Sequence, residues 1–134
     1  MEEIKTLSLG AARRDITPAV GTLLYGYNPH QVSTSVHDPI HVTAMALANG
    51  TETALMLSVE VGDMQTEYTT SLRESASQAT GVPVENILIS ATHTHSAPNV
   101  AGMEGWGGID EPYAENILRP RLVEAVVEAI AKLE

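Results

Sequence analysis

Apolar and polar positions change their period several times along the 134 residues, and each change marks an element. Residues 6–14 read as a first strand, closed by the turn signal Asp15-Ile16-Thr17-Pro18. Residues 21–36, from Gly21 through Gly26-Tyr27-Asn28-Pro29 to Ser35, have the composition of a loop. His41 to Ala48 alternates and predicts a strand. Asn49-Gly50 then predicts a two-residue hairpin turn, since both residues tolerate the positive φ of a type I′ turn. Thr53 to Val61 returns as the partner strand. Its centre, Ala54-Leu55-Met56-Leu57-Ser58-Val59, is apolar on both faces, as in an interior strand covered on two sides.

From Gln65 to Ala79 the period becomes helical: Met64, Tyr68, Leu72, Ala76 and Ala79 fall near one face, and Gly81 with Pro83 ends the helix. Asn86 to Ala91 is the next strand. Strand, helix and strand in that order predict a right-handed crossover joining two parallel strands. After a glycine-rich loop, Ala101 to Gly108, the run Asp110-Glu111-Pro112 opens a final helix that extends to Lys132. Pro120 is expected to bend it or split off its first turn. The fold class predicted is α/β: a mixed sheet with a hairpin and a β-α-β crossover, flanked by two helices, in a single domain over residues 1–134.

The chemistry concentrates where the apolar strand Ile87-Leu88-Ile89 gives way to Ser90-Ala91-Thr92-His93-Thr94-His95-Ser96-Ala97-Pro98. Strand alternation would put His93 and His95 on one face, so that two imidazoles converge on one ion or substrate. The crossover also brings the ends of the two parallel strands to one edge of the sheet, where open α/β folds bind ligands. Glu60 and Asp63 are expected at that edge beside the imidazoles, with helix capping as the competing role for Asp63.

Composition narrows the partners. Seventeen acidic against seven basic residues give a formal charge of −10, and Arg13-Arg14 is the only basic pair, which disfavours nucleic acid. There is no cysteine, so any metal must be held by His, Asp, Glu or Tyr. The core has no Phe and must be aliphatic and alanine-rich. Met1 to Lys5 lacks a basic stretch leading into an apolar one, and no apolar run approaches the ~20 residues of a membrane span. These features point to a cytoplasmic chain.

Four segments occur in an order that resembles the N-terminal part of the neutral/alkaline non-lysosomal ceramidases. They are Gly10-Ala11-Ala12-Arg13-Arg14-Asp15-Ile16-Thr17-Pro18, Gly26-Tyr27, Val36-His37-Asp38-Pro39-Ile40 and Ala91 to Pro98. The resemblance implies a zinc-dependent amide hydrolase acting on an N-acyl bond, in the best-known members that of N-acylsphingosine. It implies His93 as a zinc ligand and His95 as an oxyanion or substrate contact. His37 would be a supporting or structural histidine, while His30 and His41 match no family role and read as surface residues. The chain departs from the family at Thr43, where arginine is common, and at Glu60, where aspartate is common. The family's other zinc ligands come from later sequence, so the resemblance implies the N-terminal portion of a larger catalytic domain.

Two other readings remain open. The chain could be a non-catalytic α/β module whose sheet needs a partner, a second copy or a missing C-terminal segment for cover. A phosphate-binding role for Gly102 to Gly108 is disfavoured, because the loop lacks a Lys-Ser/Thr ending and opens its helix with acidic residues. Trp106, in the same loop, reads either as a lid or substrate platform or as a plug at the core's edge.

Overall fold

The computed structural model describes residues 6–134, so the reading of Met1 to Lys5 lies outside the described residues. Six strands form: β1 (Ser8–Asp15), β2 (Leu24–Tyr25), β3 (His41–Ala48), β4 (Thr53–Val59), β5 (Ile87–Ala91) and β6 (Ala97–Pro98). Between β4 and β5 lies helix α1 (Thr66–Thr80). The chain then closes with α2 (Glu111–Tyr113), a π-helical turn (Ala114–Leu118) and α3 (Arg119–Ala131). The main sheet has the order β1-β3-β4-β5, with β1, β3 and β4 antiparallel and β5 parallel to β4 across α1. This is the mixed α/β sheet with hairpin and crossover that the hydrophobic pattern predicts. The short pair β2-β6 is a second sheet hidden in what reads as loop. Two-residue strands carry too little periodicity to be seen in a sequence.

Alternation decides which sheet face is buried. Ala12, Val42, Ala44, Ala46, Leu55, Leu57, Val59 and Ile87 point to one side and meet Tyr68, Leu72 and Ala76 of α1 and Leu122, Ala125, Val126 and Ala129 of α3. Small residues in β1 let α3 lie almost on the strand. A Cβ added at Gly10 would stand 2.1 Å from the Ala129 carbonyl oxygen. Among the described residues nothing covers the opposite face. Ala11, Met45, Met56 and Leu88 stand in one cross-strand row there, with Met56 42% and Leu88 56% exposed. β4 is thus apolar on both faces but covered on one, because these residues supply only one layer of helices.

The hairpin also differs from the expected two-residue turn. Ala48 pairs with Thr53, leaving four residues in the loop. Asn49 keeps a negative φ and accepts from the main-chain N–H groups of Thr51 and Glu52 through Oδ1, while Gly50 alone takes φ +84°. The asparagine serves as an acceptor here and not as a positive-φ residue. Before Pro120 the last helix widens instead of splitting: the Arg119 N–H bonds back five residues to the Ala114 carbonyl. Proline has no N–H and its ring crowds the preceding turn, which the extra residue of a π-turn relieves.

A candidate active site at the carboxyl end of the sheet

β5 ends at Ala91, yet the backbone stays tied to the end of β4. Thr92 N–H donates to the Val59 carbonyl at 3.0 Å and Thr94 N–H to the Val61 carbonyl at 3.1 Å. Between these anchors His93 takes φ +65°, and Ser96 follows with φ +59°. Left-handed conformation is uncommon for residues with a Cβ and clusters at functional sites. The strand alternation expected to align His93 and His95 is therefore broken. The two rings meet all the same, with centroids 4.8 Å apart and Nε2 to Nε2 at 3.2 Å. The kink, and not the strand, brings them together.

Hydrogen bonding settles the protons. Nδ1 of His93 lies 3.0 Å from the Gly62 carbonyl oxygen, which can only accept. Nδ1 of His93 therefore carries hydrogen, and in the neutral ring Nε2 presents its lone pair toward His95. His95 in turn offers Nε2–H to that lone pair. The result is a directed chain from His95 through His93 to Gly62, with His93 exposed and His95 half-buried.

The second sheet builds the wall behind the pair. β2 pairs with β6, and Ser96 N–H donates to the Tyr25 carbonyl at 2.9 Å. This fixes the Tyr25 ring edge-on to both imidazoles, with centroids 6.4 Å from His93 and 6.3 Å from His95. Two glycines permit the approach. A Cβ at Gly62 would stand 2.1 Å from Tyr25 Cδ1, and one at Gly26 would stand 2.6 Å from His95 Cγ. Tyr27, largely exposed, meets His95 edge to face at 5.0 Å. Trp106 packs on Tyr25 at 5.5 Å and stays half-exposed, so it belongs to the site's aromatic wall and not to the buried core. Asn99 is fully buried and ties the wall together. Its main-chain N–H reaches the Leu23 carbonyl, its Nδ2 the Trp106 carbonyl, and its Oδ1 accepts from Ala101. Tyr25 and Asn99 went unremarked in the sequence. The one available signal was an amide set among apolar neighbours, Ala97-Pro98-Asn99-Val100-Ala101.

A cleft of about 360 Å³ runs from His95 along the 31–38 segment. Leu24, Val36 and Ile40 line it together with the hydroxyl-bearing Thr17, Thr34 and Ser96. His37 lies on this cleft, its Nδ1 2.6 Å from Asp38 Oδ2 and its side chain almost fully exposed.

The two carboxylates expected beside the imidazoles go elsewhere. Glu60 turns to β3: its Oε2 accepts from the His41 main-chain N–H at 2.7 Å and lies 3.2 Å from His41 Nδ1. Arg13 closes this cluster, with Nη2 2.8 Å from His41 Nδ1 and 3.7 Å from Glu60 Oε1. His41 is correspondingly half-buried and not the surface residue it resembles in sequence, whereas His30 is exposed. Among the described residues Asp63 accepts only from the adjacent Met64 N–H at 3.1 Å, and α1 begins after Gln65 without a side-chain cap. Among the described residues no group of three or more His, Cys, Asp or Glu side chains is placed to hold a metal ion. Nor is any described helix long and apolar enough to cross a membrane.

No family model matches the chain, and no curated protein does. Solved structures do. One is the crystal structure of neutral ceramidase from Pseudomonas aeruginosa, with TM-score 0.79 and 22% identity, covering 98% of this chain and 22% of that one. Another is a ceramidase complexed with C2, with TM-score 0.80 and 22% identity, covering 96% of this chain and 22% of that one. The resemblance carried by the ordered motifs is thus met in three dimensions: the chain has a fold found within neutral ceramidases and spans about a fifth of their length.

Proposed function

We propose that the chain contributes part of the active site of a zinc-dependent amide hydrolase of the neutral ceramidase type. His93 would be a metal ligand and His95 the group that meets the scissile amide. The observation that carries this reading is the 3.2 Å approach of the two Nε2 atoms, with the His93 proton held away on Nδ1 by Gly62. A lone pair fixed on an exposed Nε2 is what a divalent cation needs, and the backbone carbonyl behind Nδ1 is the usual support of such a ligand. Two imidazoles do not fit a resident zinc by themselves, since three protein donors are the norm. The remaining donors would come from polypeptide outside the described residues, with residues 1–134 as the N-terminal portion of a larger catalytic domain. Zinc, when bound, supplies a water whose pKa falls to about 7. This chain's own part is to offer Nε2–H of His95 to an oxyanion, or to pass that proton to the leaving nitrogen. An N-acyl substrate would enter along the cleft beside His95. In this reading His37 and Glu60 act behind the site and Asp63 at its margin.

Zinc content and calorimetric titration of the purified chain, beside His93→Ala and His95→Ala, test the assignment. Weak zinc binding is expected in the parent chain, weaker binding in His95→Ala, and none in His93→Ala. Equal behaviour of parent and His93→Ala would overturn it. Hydrolysis of N-acylsphingosine and simpler N-acyl amides, measured with the chain inside a longer polypeptide, would then identify the substrate.

One observation favours a second reading, a non-catalytic module that needs cover. The outer sheet face leaves Leu9, Met56 and Leu88 in water. Sedimentation distinguishes the cases: concentration-dependent association abolished by Met56→Lys supports it, and a stable monomer counts against it.

A further inference from the structure

Among the described residues Glu60 makes no hydrogen bond to either imidazole, but it lies two residues before the backbone that His93 touches. Two residues after Glu60, Gly62 presents the carbonyl that holds His93 Nδ1. This segment, residues 60–62, has left the ladder of β4, and its regular support ends at Val59. What fixes it instead is a reciprocal clamp. Glu60 N–H donates to the His41 carbonyl at 3.0 Å, and the His41 N–H donates to Glu60 Oε2 at 2.7 Å. Main chain and side chain of one residue are thereby both tied to one residue of β3. On the far side Thr94 N–H grips the Val61 carbonyl.

The His41 ring has a definite place in the clamp. Arg13 can only donate and the Glu60 carboxylate only accept, so His41 Nδ1, 2.8 Å from one and 3.2 Å from the other, serves one of them at a time. The Glu60 carboxylate is in either case held by the His41 main chain, with Arg13 balancing its charge at 3.7 Å. Arg13 belongs to β1, so the clamp links three successive strands of the sheet to the His93 carbonyl partner.

We propose that Glu60 is a positioning residue for His93. By clamping residues 60–62 to His41 it holds the Gly62 carbonyl on Nδ1, and so keeps Nε2 of His93 unprotonated, an acceptor that His95 occupies here and that a ligand would take in its place. The proposal rests on the reading of His93 as a site residue. It predicts dependence on reach and not on charge. Glutamine at position 60 retains an oxygen acceptor at the same distance, whereas alanine has none and aspartate is one methylene short.

Imidazole nitrogen NMR of the full chain, isotope-labelled and metal-free, reads the tautomer directly. The parent chain and Glu60→Gln are expected to show His93 with a protonated Nδ1 and a bare Nε2. In Glu60→Ala the two tautomers should mix, while amide signals of the β1-β3-β4 sheet remain. If Glu60→Ala does not fold, Glu60→Asp carries the test in the same direction. Titration with zinc alone should show affinity about tenfold weaker in Glu60→Ala and restored in Glu60→Gln. Unmoved His93 nitrogen signals in both Glu60→Ala and Glu60→Asp would overturn the proposal, as would loss of the Nδ1 proton in Glu60→Gln. The tautomer measurement decides the clamp whether or not the chain by itself takes up zinc.

Discussion

Gly26→Ala is the most informative single change at the site, because the structure separates its two costs. Gly26 has φ +119°, a region closed to side chains, and an added Cβ would press on the His95 ring at 2.6 to 2.9 Å. The backbone strain costs about 1–3 kcal/mol and the steric contact about 1–3 kcal/mol more. Gly21→Ala is the internal control: its φ is +95°, but nothing lies within 4 Å of the added carbon, so only the backbone cost applies. For a chain of this size ~1 kcal/mol corresponds to a fall in Tm of roughly 3–5 °C. Gly26→Ala should therefore melt about 6–30 °C below the parent, and below Gly21→Ala by the steric share. Thermal unfolding followed by circular dichroism, in the parent and in a His95→Ala background, closes the cycle. Removing the imidazole should lower the cost of Gly26→Ala only in part, toward that of Gly21→Ala, since the Cβ of residue 95 stays 2.8 Å from the added carbon. If the two glycine changes cost the same in the parent chain, the close packing of Gly26 on His95 is wrong.

Two further outcomes follow from buried and paired groups. Tyr113 donates its hydroxyl to the Ile16 carbonyl at 2.8 Å, tying the last helix to the end of β1, and burial pushes its phenol far above the usual range. Tyr113→Phe leaves that carbonyl unpaired and should cost about 1–3 kcal/mol by urea denaturation; a loss under about 0.5 kcal/mol would refute the bond's role. Hydrogen bonds from Thr17, side chain first and then main chain, hold the Asp15 carboxyl below its ordinary value. A depressed folded-state pKa gives stability that is complete above the unfolded value near 3.8 and is lost as pH falls through the folded one. The Tm advantage of the parent over Asp15→Asn should hold at neutral pH and shrink in acid below that value; a constant difference would exclude the linkage.

Much of the architecture was legible because it rests on local period. β3, β4, α1 and β5 each carry several repeats of 2 or 3.6, and Gly81 and Pro83 mark the end of α1 through backbone chemistry alone. The β2-β6 pair was not legible, since two residues hold no period and their pairing spans more than seventy positions of chain. The fate of Glu60 was equally hidden. Sequence placed it at the correct edge of the sheet, but which neighbour takes a carboxylate depends on side-chain reach. There the His41 N–H stands 2.7 Å away.

Spacing along the chain suffices for the order of elements, the mixed sheet and the location of an imidazole pair at its carboxyl end, because each rests on local period and turn chemistry. Tertiary structure alone decided that the pair converges through a left-handed kink at His93 and that the Gly62 carbonyl sets its proton. It likewise decided that Tyr25 and Trp106 wall the site. Hydrogen bonds and ring contacts between distant segments depend on distances of a few tenths of an ångström, and no one-dimensional pattern records them.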